Sequence, residues 1–276
     1  MVSIRKELAA HGLFPRKGLG QHFLVDRNIM LKVVDVAGLG HDDAVLEVGS
    51  GLGEMTAILA SQAKKVIAVE IDPKLAEILK KKMDLLPNVE VVEEDVLKVD
   101  FRKLREGEDR RMKVVANLPY QISTPLLFRF IEAREVFSSL TLMLQREVAV
   151  RLVASPGGKE YGPLSIFVQM FSDVSICFHV KPSAFFPPPK VESAVIQMSW
   201  KDRPTVKTED EEWFKRVVKG SMGYRRKTLI NALKYSRLAL PGDSEARLEG
   251  AGIDPQRRPG TLTIQEFVRL AEVLRA

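Results

Sequence analysis

The stretch Ala44–Met55, AVLEVGSGLGEM, decides the fold. Five residues of a short apolar strand pattern run into glycines at alternate positions, Gly49, Gly51 and Gly53, and Glu54 then opens a helical pattern. A run of this kind, ended by a glycine turn and followed by helical periodicity, reads as a strand–turn–helix unit. The glycines let the backbone turn tightly and approach a ligand with no Cβ in the way. The dinucleotide fingerprint G-x-G-x-x-G requires glycine at position 54, where this chain has Glu54. A lone glycine-rich loop serves structure at least as often as binding, so the surrounding chain has to decide.

Outward from this loop the chain alternates. Strands are expected at Ala44–Val48, Val66–Glu70, Val89–Val92 and Lys113–Ala116, separated by helices such as Glu54–Ala63 and Pro73–Met83. Such alternation predicts βαβ units and a parallel sheet with helices on both faces. An amphipathic helix over Asp26–Ala37 precedes it, after a basic, glycine-containing arm over residues 1–20. A fifth strand, Leu140–Leu144, leads to helices over Arg146–Ala154 and Ser165–Phe171. Two β-rich runs follow, Val174–Val180 and Val191–Trp200, joined by PSAFFPPPK. Lys201–Thr205 reads as a linker, and beyond it every pattern is helical. The expectation is an α/β Rossmann-like domain over 1–205 and a small all-helical domain over 206–276.

Composition narrows the class. Of 276 residues 45% are hydrophobic and 28% charged, the profile of a globular protein. No apolar run approaches the ~18 residues of a membrane span, and the first twenty residues lack a secretory apolar core. The single cysteine, Cys177, excludes an internal disulfide framework, and a cytoplasmic location is expected. One cysteine and four scattered histidines form no metal-ligand pattern. The net charge of +6 hints at a polyanionic partner. From Val206 onward 14 basic residues stand against 10 acidic ones, so the last quarter carries most of that charge.

The loop with Glu47 in front of it resembles the E-x-G-x-G-x-G loop of S-adenosylmethionine (SAM) methyltransferases. Glu70 ends the second strand at the distance where such folds place a ribose-binding carboxylate. Asp95 follows the third strand and is placed to accept from an adenine amine. Asn117 ends the fourth, in VVANLPYQIS. Ligands bind at this edge of an open α/β sheet. A nucleobase amine is a poor nucleophile because its lone pair is delocalised into the ring. Two acceptors on its N–H groups, the Asn117 amide oxygen and the Leu118 carbonyl, favour its pyramidal form. Pro119 restricts Leu118 to an extended conformation. Tyr120 offers a ring face to the base, and positioning with matched dipoles supplies the catalysis. An unstacked base needs a second wall. PSAFFPPPK presents Phe185 or Phe186 for it, and one of the two is free to plug the core instead.

GQHFLVD, EVGSGLG, VEID, EEDVL, NLPYQISTPLL, EYGPLSI, PSAFFPPPKVESAV and YRRKTLINAL stand in the order found in the ribosomal RNA adenine dimethylases. The chain resembles the small-subunit adenine-N6,N6-dimethyltransferase family of the KsgA/RsmA type over nearly its whole length. The resemblance implies SAM-dependent dimethylation of two adjacent adenosines near the 3′ end of small-subunit rRNA. It implies SAM contacts from His22, Leu24, Gly49, Gly51, Glu70, Asp95 and Asn117, and Phe185 as the second wall. The family often carries Asn where this chain has His22 and Gln121, which leaves the contact at His22 open. Arg225, Arg226 and Lys227 are the expected RNA contacts, with Arg257 and Arg258 as further candidates. The expected partner is small-subunit rRNA or a partly assembled subunit, bound by a monomer, with no metal and no membrane. Two rivals stand beside this reading. One is a large-subunit methylase of the macrolide-resistance type, whose relatives usually read N-I-P-Y and lack EYGPLSI. The other is a non-catalytic assembly or transcription factor on the same fold.

Overall fold

The computed structural model describes residues 4–202, 211–236, 238 and 242–275. The chain divides into two compact units, Met1–Ala149 with Ser175–Trp200, and Val150–Val174 with Lys201–Ala276. The boundary expected at 205/206 and linker residues 203–205 lie outside the described residues.

The first unit is built on the expected α/β sheet. In chain order the strands are β1 (Phe23–Leu24), β2 (Ala44–Val48), β3 (Lys65–Glu70), β4 (Val89–Glu93), β5 (Met112–Asn117), β6 (Phe137–Gln145), β7 (Ser172–Val180), β8 (Phe185–Phe186) and β9 (Ser193–Trp200). Seven of them form one sheet in the order β4-β3-β2-β5-β6-β9-β7. The run from β4 to β6 is parallel, and β9 joins β6 antiparallel. All five residues of β2 are buried, as a central parallel strand requires. Each such Val or Leu side chain stabilises the fold by roughly 1.5–3 kcal/mol.

Local chemistry sets the helix ends. Asp26 caps the helix Arg27–Ala37 by accepting from Asn28 N and Ile29 N, and Gly38 ends it at φ 55°. Asp72 caps Pro73–Met83 in the same way through Lys74 N. Phe101, Phe130 and Phe137 pack as a ring triad with centroids 5.3–5.4 Å apart. The Arg129 guanidinium lies over Phe101 and donates to the Val96 and Val99 carbonyls, which fixes the loop after β4.

Within the first unit two features depart from expectation. Part of the basic arm is a helix, Ile4–Ala10. Ile4 and Leu8 sit on one face and join Leu52 and Leu75 in a small core cluster, and Glu7 pairs with Lys82. The other is the short antiparallel pair of β1 with β8, Phe23 opposite Phe186 and Leu24 opposite Phe185.

The second unit takes in Val150–Val174, which the sequence reading grouped with the α/β domain. Long-range contacts account for this. The Phe167 ring meets Phe214 edge-on at 6.2 Å, and Gly157 N donates to the Gly260 carbonyl at 2.7 Å. Tyr161, from EYGPLSI, is fully buried, and its hydroxyl donates to the Leu262 carbonyl at 3.0 Å. Burial pushes that hydroxyl's pKa far up, so it stays a donor. The expected result of Tyr161→Phe is a loss of about 1–3 kcal/mol, because the buried Leu262 carbonyl loses its partner. Urea denaturation measures it.

Candidate active site

The C-terminal edge of the parallel strands collects one cavity in the first unit. Its lining includes His22, Leu24, Glu47, Gly49, Gly51, Glu70, Asn117, Leu118 and Tyr120. All three loop glycines have positive φ, 71° at Gly49, 56° at Gly51 and 82° at Gly53. Side chains rarely adopt that conformation. Space agrees with the backbone: a Cβ on Gly51 would lie 3.1 Å from the Phe23 ring, and one on Gly53 would lie 2.6 Å from Leu79.

Glu70 is the acid under this loop. It is only 4% exposed. One carboxylate oxygen accepts from Gly51 N and the other from Asp72 N, both at 2.9 Å. Burial raises its pKa, and these two N–H groups oppose the rise. A carboxylate fixed by backbone donors keeps lone pairs for hydroxyls of a ligand. The neighbouring Asp72 is tied to the chain before β1, by an ion pair with Arg16 at 3.3 Å and a hydrogen bond from Gln21.

Glu47, also on the cavity, is 1% exposed and accepts from the Thr56 hydroxyl at 2.5 Å. Among the described residues no cation pairs with it. Burial pushes its pKa up to about 7, with the Glu70 charge adding to the rise and the Thr56 hydrogen bond opposing it.

Asn117 stands at the end of β5. Its Nδ2 donates to the His22 carbonyl at 3.0 Å, which leaves Oδ1 as the acceptor of this cavity-lining side chain. Tyr120 is held at both ends. Its hydroxyl is 2.6 Å from Ser193 Oγ, and its ring stacks on His22 with centroids 5.5 Å apart. The His22 Nδ1 is 2.7 Å from the Pro187 carbonyl, so this ring also ties in the proline-rich loop.

Two expected residues are not on the cavity. Asp95 is absent from its lining; its Oδ1 accepts from Leu97 N and shapes the turn after β4. Phe185 is 3% exposed and packs in the core cluster with Leu24 and Met30. As it stands that ring is covered, so it does not form a wall. Phe186 is half-buried and pairs with Phe23, a lining residue. Arg225, Arg226 and Lys227 belong to the second unit and are exposed. Arg225 is engaged within that unit, donating to the Lys159 and Gly158 carbonyls. Arg257 is likewise held, by both oxygens of Glu266 and the Thr261 carbonyl. Among the described residues, the side chains of Arg226, Lys227 and Arg258 have no such contacts.

Sequence reasoning missed Phe23, Gln21 and Ile71. Phe23 covers the glycine loop, Gln21 reaches Asp72, and Ile71 is an exposed apolar side chain on the cavity beside Glu70. The signal for Ile71 was present, as an isoleucine just past a strand end next to an acid.

A positive-φ glycine cradle above a buried, backbone-held carboxylate suits a nucleoside with free ribose hydroxyls. These residues fit SAM on that ground. Among the described residues no group of three or more His, Cys, Asp or Glu is placed to hold a metal ion. No described helix is long and apolar enough to cross a membrane.

Solved structures share the fold. A dimethyladenosine transferase from Plasmodium falciparum superposes with a TM-score of 0.79 at 30% identity, over 90% of this chain and 96% of that one. The 23S rRNA methyltransferase ErmE gives 0.69 at 27%, over 92% and 100%. The fold is that of the SAM-dependent methyltransferase class. The family model for ribosomal RNA adenine dimethylase matches residues 14–276. Ribosomal RNA small subunit methyltransferase A of Geobacter metallireducens is 46% identical over 272 residues, 98% of each chain. Its namesake in Alkaliphilus oremlandii is 47% identical over 261 residues, 94% of this chain and 91% of that one. The chain therefore belongs to the ribosomal RNA adenine dimethylase family.

The buried Glu47 gives a pH signature. Its folded pKa, about 7, lies above the ordinary glutamate value of 4.5. Below pH 4.5 both folded and unfolded states are protonated and Glu47 has no effect on stability. As pH rises from there to 7 the unfolded state ionises first, and about 3 kcal/mol of stability is lost. Above 7 the loss is complete. Glu47→Gln should remove this share of the pH dependence, read as a smaller stability difference between pH 5 and pH 8 in chemical denaturation. Equal slopes in variant and wild type would place the ionisation elsewhere.

Proposed function

We propose that this chain transfers methyl groups from SAM to N6 of two adjacent adenosines near the 3′ end of small-subunit rRNA, acting as a monomer in the cytoplasm on a partly assembled subunit. The observation that carries the reading is the anchored Asn117 amide on the cavity that also holds the glycine loop and Glu70, its oxygen making no hydrogen bond among the described residues. Bound there, SAM supplies an electrophilic methyl group on a sulfonium. Glu70 and the loop of Gly49 and Gly51 hold the nucleoside part, with His22 and Leu24 lining the same space. Asn117 Oδ1 and the Leu118 carbonyl accept the two N–H groups of the adenine amine and orient its lone pair. The Tyr120 ring, fixed by Ser193 and His22, positions the base. No side-chain base is required, because the nitrogen's proton becomes acidic once the nitrogen is alkylated.

Asp95 as an adenine contact and Phe185 as a second wall stay part of the proposal only with rearrangement, since neither reaches the cavity here. The choice of small-subunit RNA is supported by the names of the 46–47% identical relatives. A large-subunit substrate is the second reading, favoured by the likeness to ErmE at 27% identity. The α/β unit performs the transfer in this proposal, and the helical unit contributes RNA contacts through Arg226 and Lys227, with Arg225 supporting their loop.

Asn117→Ala is expected to lower methylation of unmodified small-subunit particles roughly 10²–10³-fold at saturating SAM, as loss of one preorganised polar group does. Binding of RNA should change little. Glu70→Ala should weaken SAM binding by about 1–3 kcal/mol in calorimetry. Near wild-type turnover by the Asn117 variant would sink the mechanism, and equal wild-type activity on large-subunit RNA would sink the substrate.

A further inference from the structure

The second unit carries an aromatic pair on its surface. Tyr224 keeps 42% and Tyr235 57% of its area exposed. Their ring centroids lie 5.6 Å apart with planes tilted by 35°, so the two rings form one continuous apolar surface. Both are held by ordered elements. Tyr235 ends the helix Leu229–Tyr235, and Tyr224 sits in the turn after Glu211–Met222. Lys227 N donates to the Tyr224 carbonyl at 2.8 Å and closes that turn.

The surroundings are cationic. Residues 223–227 are all exposed, and so is Lys234 beside Tyr235 in the chain. The Lys227 ammonium stands 5.7 Å from the Tyr235 ring centroid, the outer limit of a cation–π contact. Among the described residues no acid pairs with Arg226, Lys227 or Lys234. Exposed ring faces bordered by uncompensated cations match a ligand that is flat and apolar in one part and anionic in the next. A nucleotide with an unpaired base has that pattern. An acidic peptide would use the cations and leave the ring faces idle.

We infer that Tyr224 and Tyr235 form a stacking platform for an unpaired base of the RNA, with Arg226 and Lys227 taking the flanking phosphates. The inference rests on the RNA substrate proposed above and adds a base contact to it. Every base has a π face, so the platform holds RNA without reading sequence, while the phosphate contacts set the salt dependence.

The test measures binding of the full-length protein to a short unstructured oligoribonucleotide and to its abasic counterpart across a salt series. Wild type should prefer the strand with bases. Tyr224→Ala and Tyr235→Ala should each lose roughly 5- to 100-fold of that affinity with an unchanged salt slope, the size typical of one base–aromatic stack. The Tyr→Phe variants should bind like wild type, and Arg226→Ala should flatten the slope instead. Wild-type affinity in both Ala variants overturns the inference, and so do equal losses in the Phe and Ala variants. Ultraviolet crosslinking of the wild type to the oligonucleotide avoids any folding defect. A nucleotide adduct on Tyr224 or Tyr235 supports the platform, and adducts confined to other residues overturn it. A poly-glutamate peptide bound as tightly as the oligonucleotide would assign the patch to an acidic protein partner and also overturn it. Methylation of small-subunit particles is scored separately. Wild type that modifies no such particle, yet loses oligonucleotide binding with the tyrosines, would remove the substrate and leave the platform standing.

Discussion

The in-register pairing of β2 with β5 is the constraint on which the site depends. Val48 lies opposite Ala116, so the next residues, Gly49 and Asn117, emerge side by side at one edge. The approach is close: a Cβ on Gly49 would sit 3.6 Å from the Pro119 ring and 3.8 Å from the Asn117 carbonyl. Pairing of β2 with β3 adds the third member. Val48 lies opposite Val69, Gly49 N donates to the Val69 carbonyl, and Glu70 follows. A one-residue slip would turn every side chain of β2 to the other face of the sheet. Because β2 is buried along its whole length, packing fixes the register that the chemistry needs.

Two buried acids share that edge, and their surroundings push them toward different roles. Glu70 has a backbone N–H on each oxygen, which favours its charged form and offsets part of the cost of burial. Glu47 has one hydroxyl donor and the Glu70 charge nearby, so it holds its proton up to about pH 7. Of the two, Glu47 is the acid whose ionisation is moved toward neutrality. A cationic ligand group brought next to Glu47 would favour its ionised form, which couples occupancy of the cavity to release of a proton.

The parts of this site legible in the sequence are those whose function follows from adjacent residues. A strand end with three alternating glycines, an acid closing the next strand and Asn-Leu-Pro-Tyr closing another each announce themselves within ten residues. Contacts across long sequence separation did not. Phe185 and Phe186 were interchangeable on paper; the pairing with β1, more than 160 residues earlier, decides that Phe185 faces the core. Arg225 and Arg226 read alike as surface cations, and only the approach of the loop at Gly158 and Lys159 separates a structural arginine from an available one. Ile4 and Leu8 gave too short an apolar stripe to reveal the first helix. Val150–Val174 reads as a continuation of the α/β domain because its partners, such as Leu262 and Phe214, lie far along the chain.

The segment before the first long helix then acts as the clasp of the site, one residue after another. Gln21 reaches Asp72 next to Glu70. His22 gives its carbonyl to Asn117 and its ring to Tyr120 and the Pro187 carbonyl. Phe23 lies over Gly51, and Leu24 pairs with Phe185. The orientation of the Asn117 amide thus depends on a main-chain carbonyl, which any residue at position 22 supplies. Histidine or asparagine at this position would therefore preserve the acceptor geometry at Asn117 alike, with the side chain released for a second task. With histidine that task is bracing Tyr120 against the proline-rich loop. The shorter asparagine side chain could retain a hydrogen bond but not the ring contact, so the residue at 22 governs how firmly Tyr120 is held, and the backbone governs where Asn117 points.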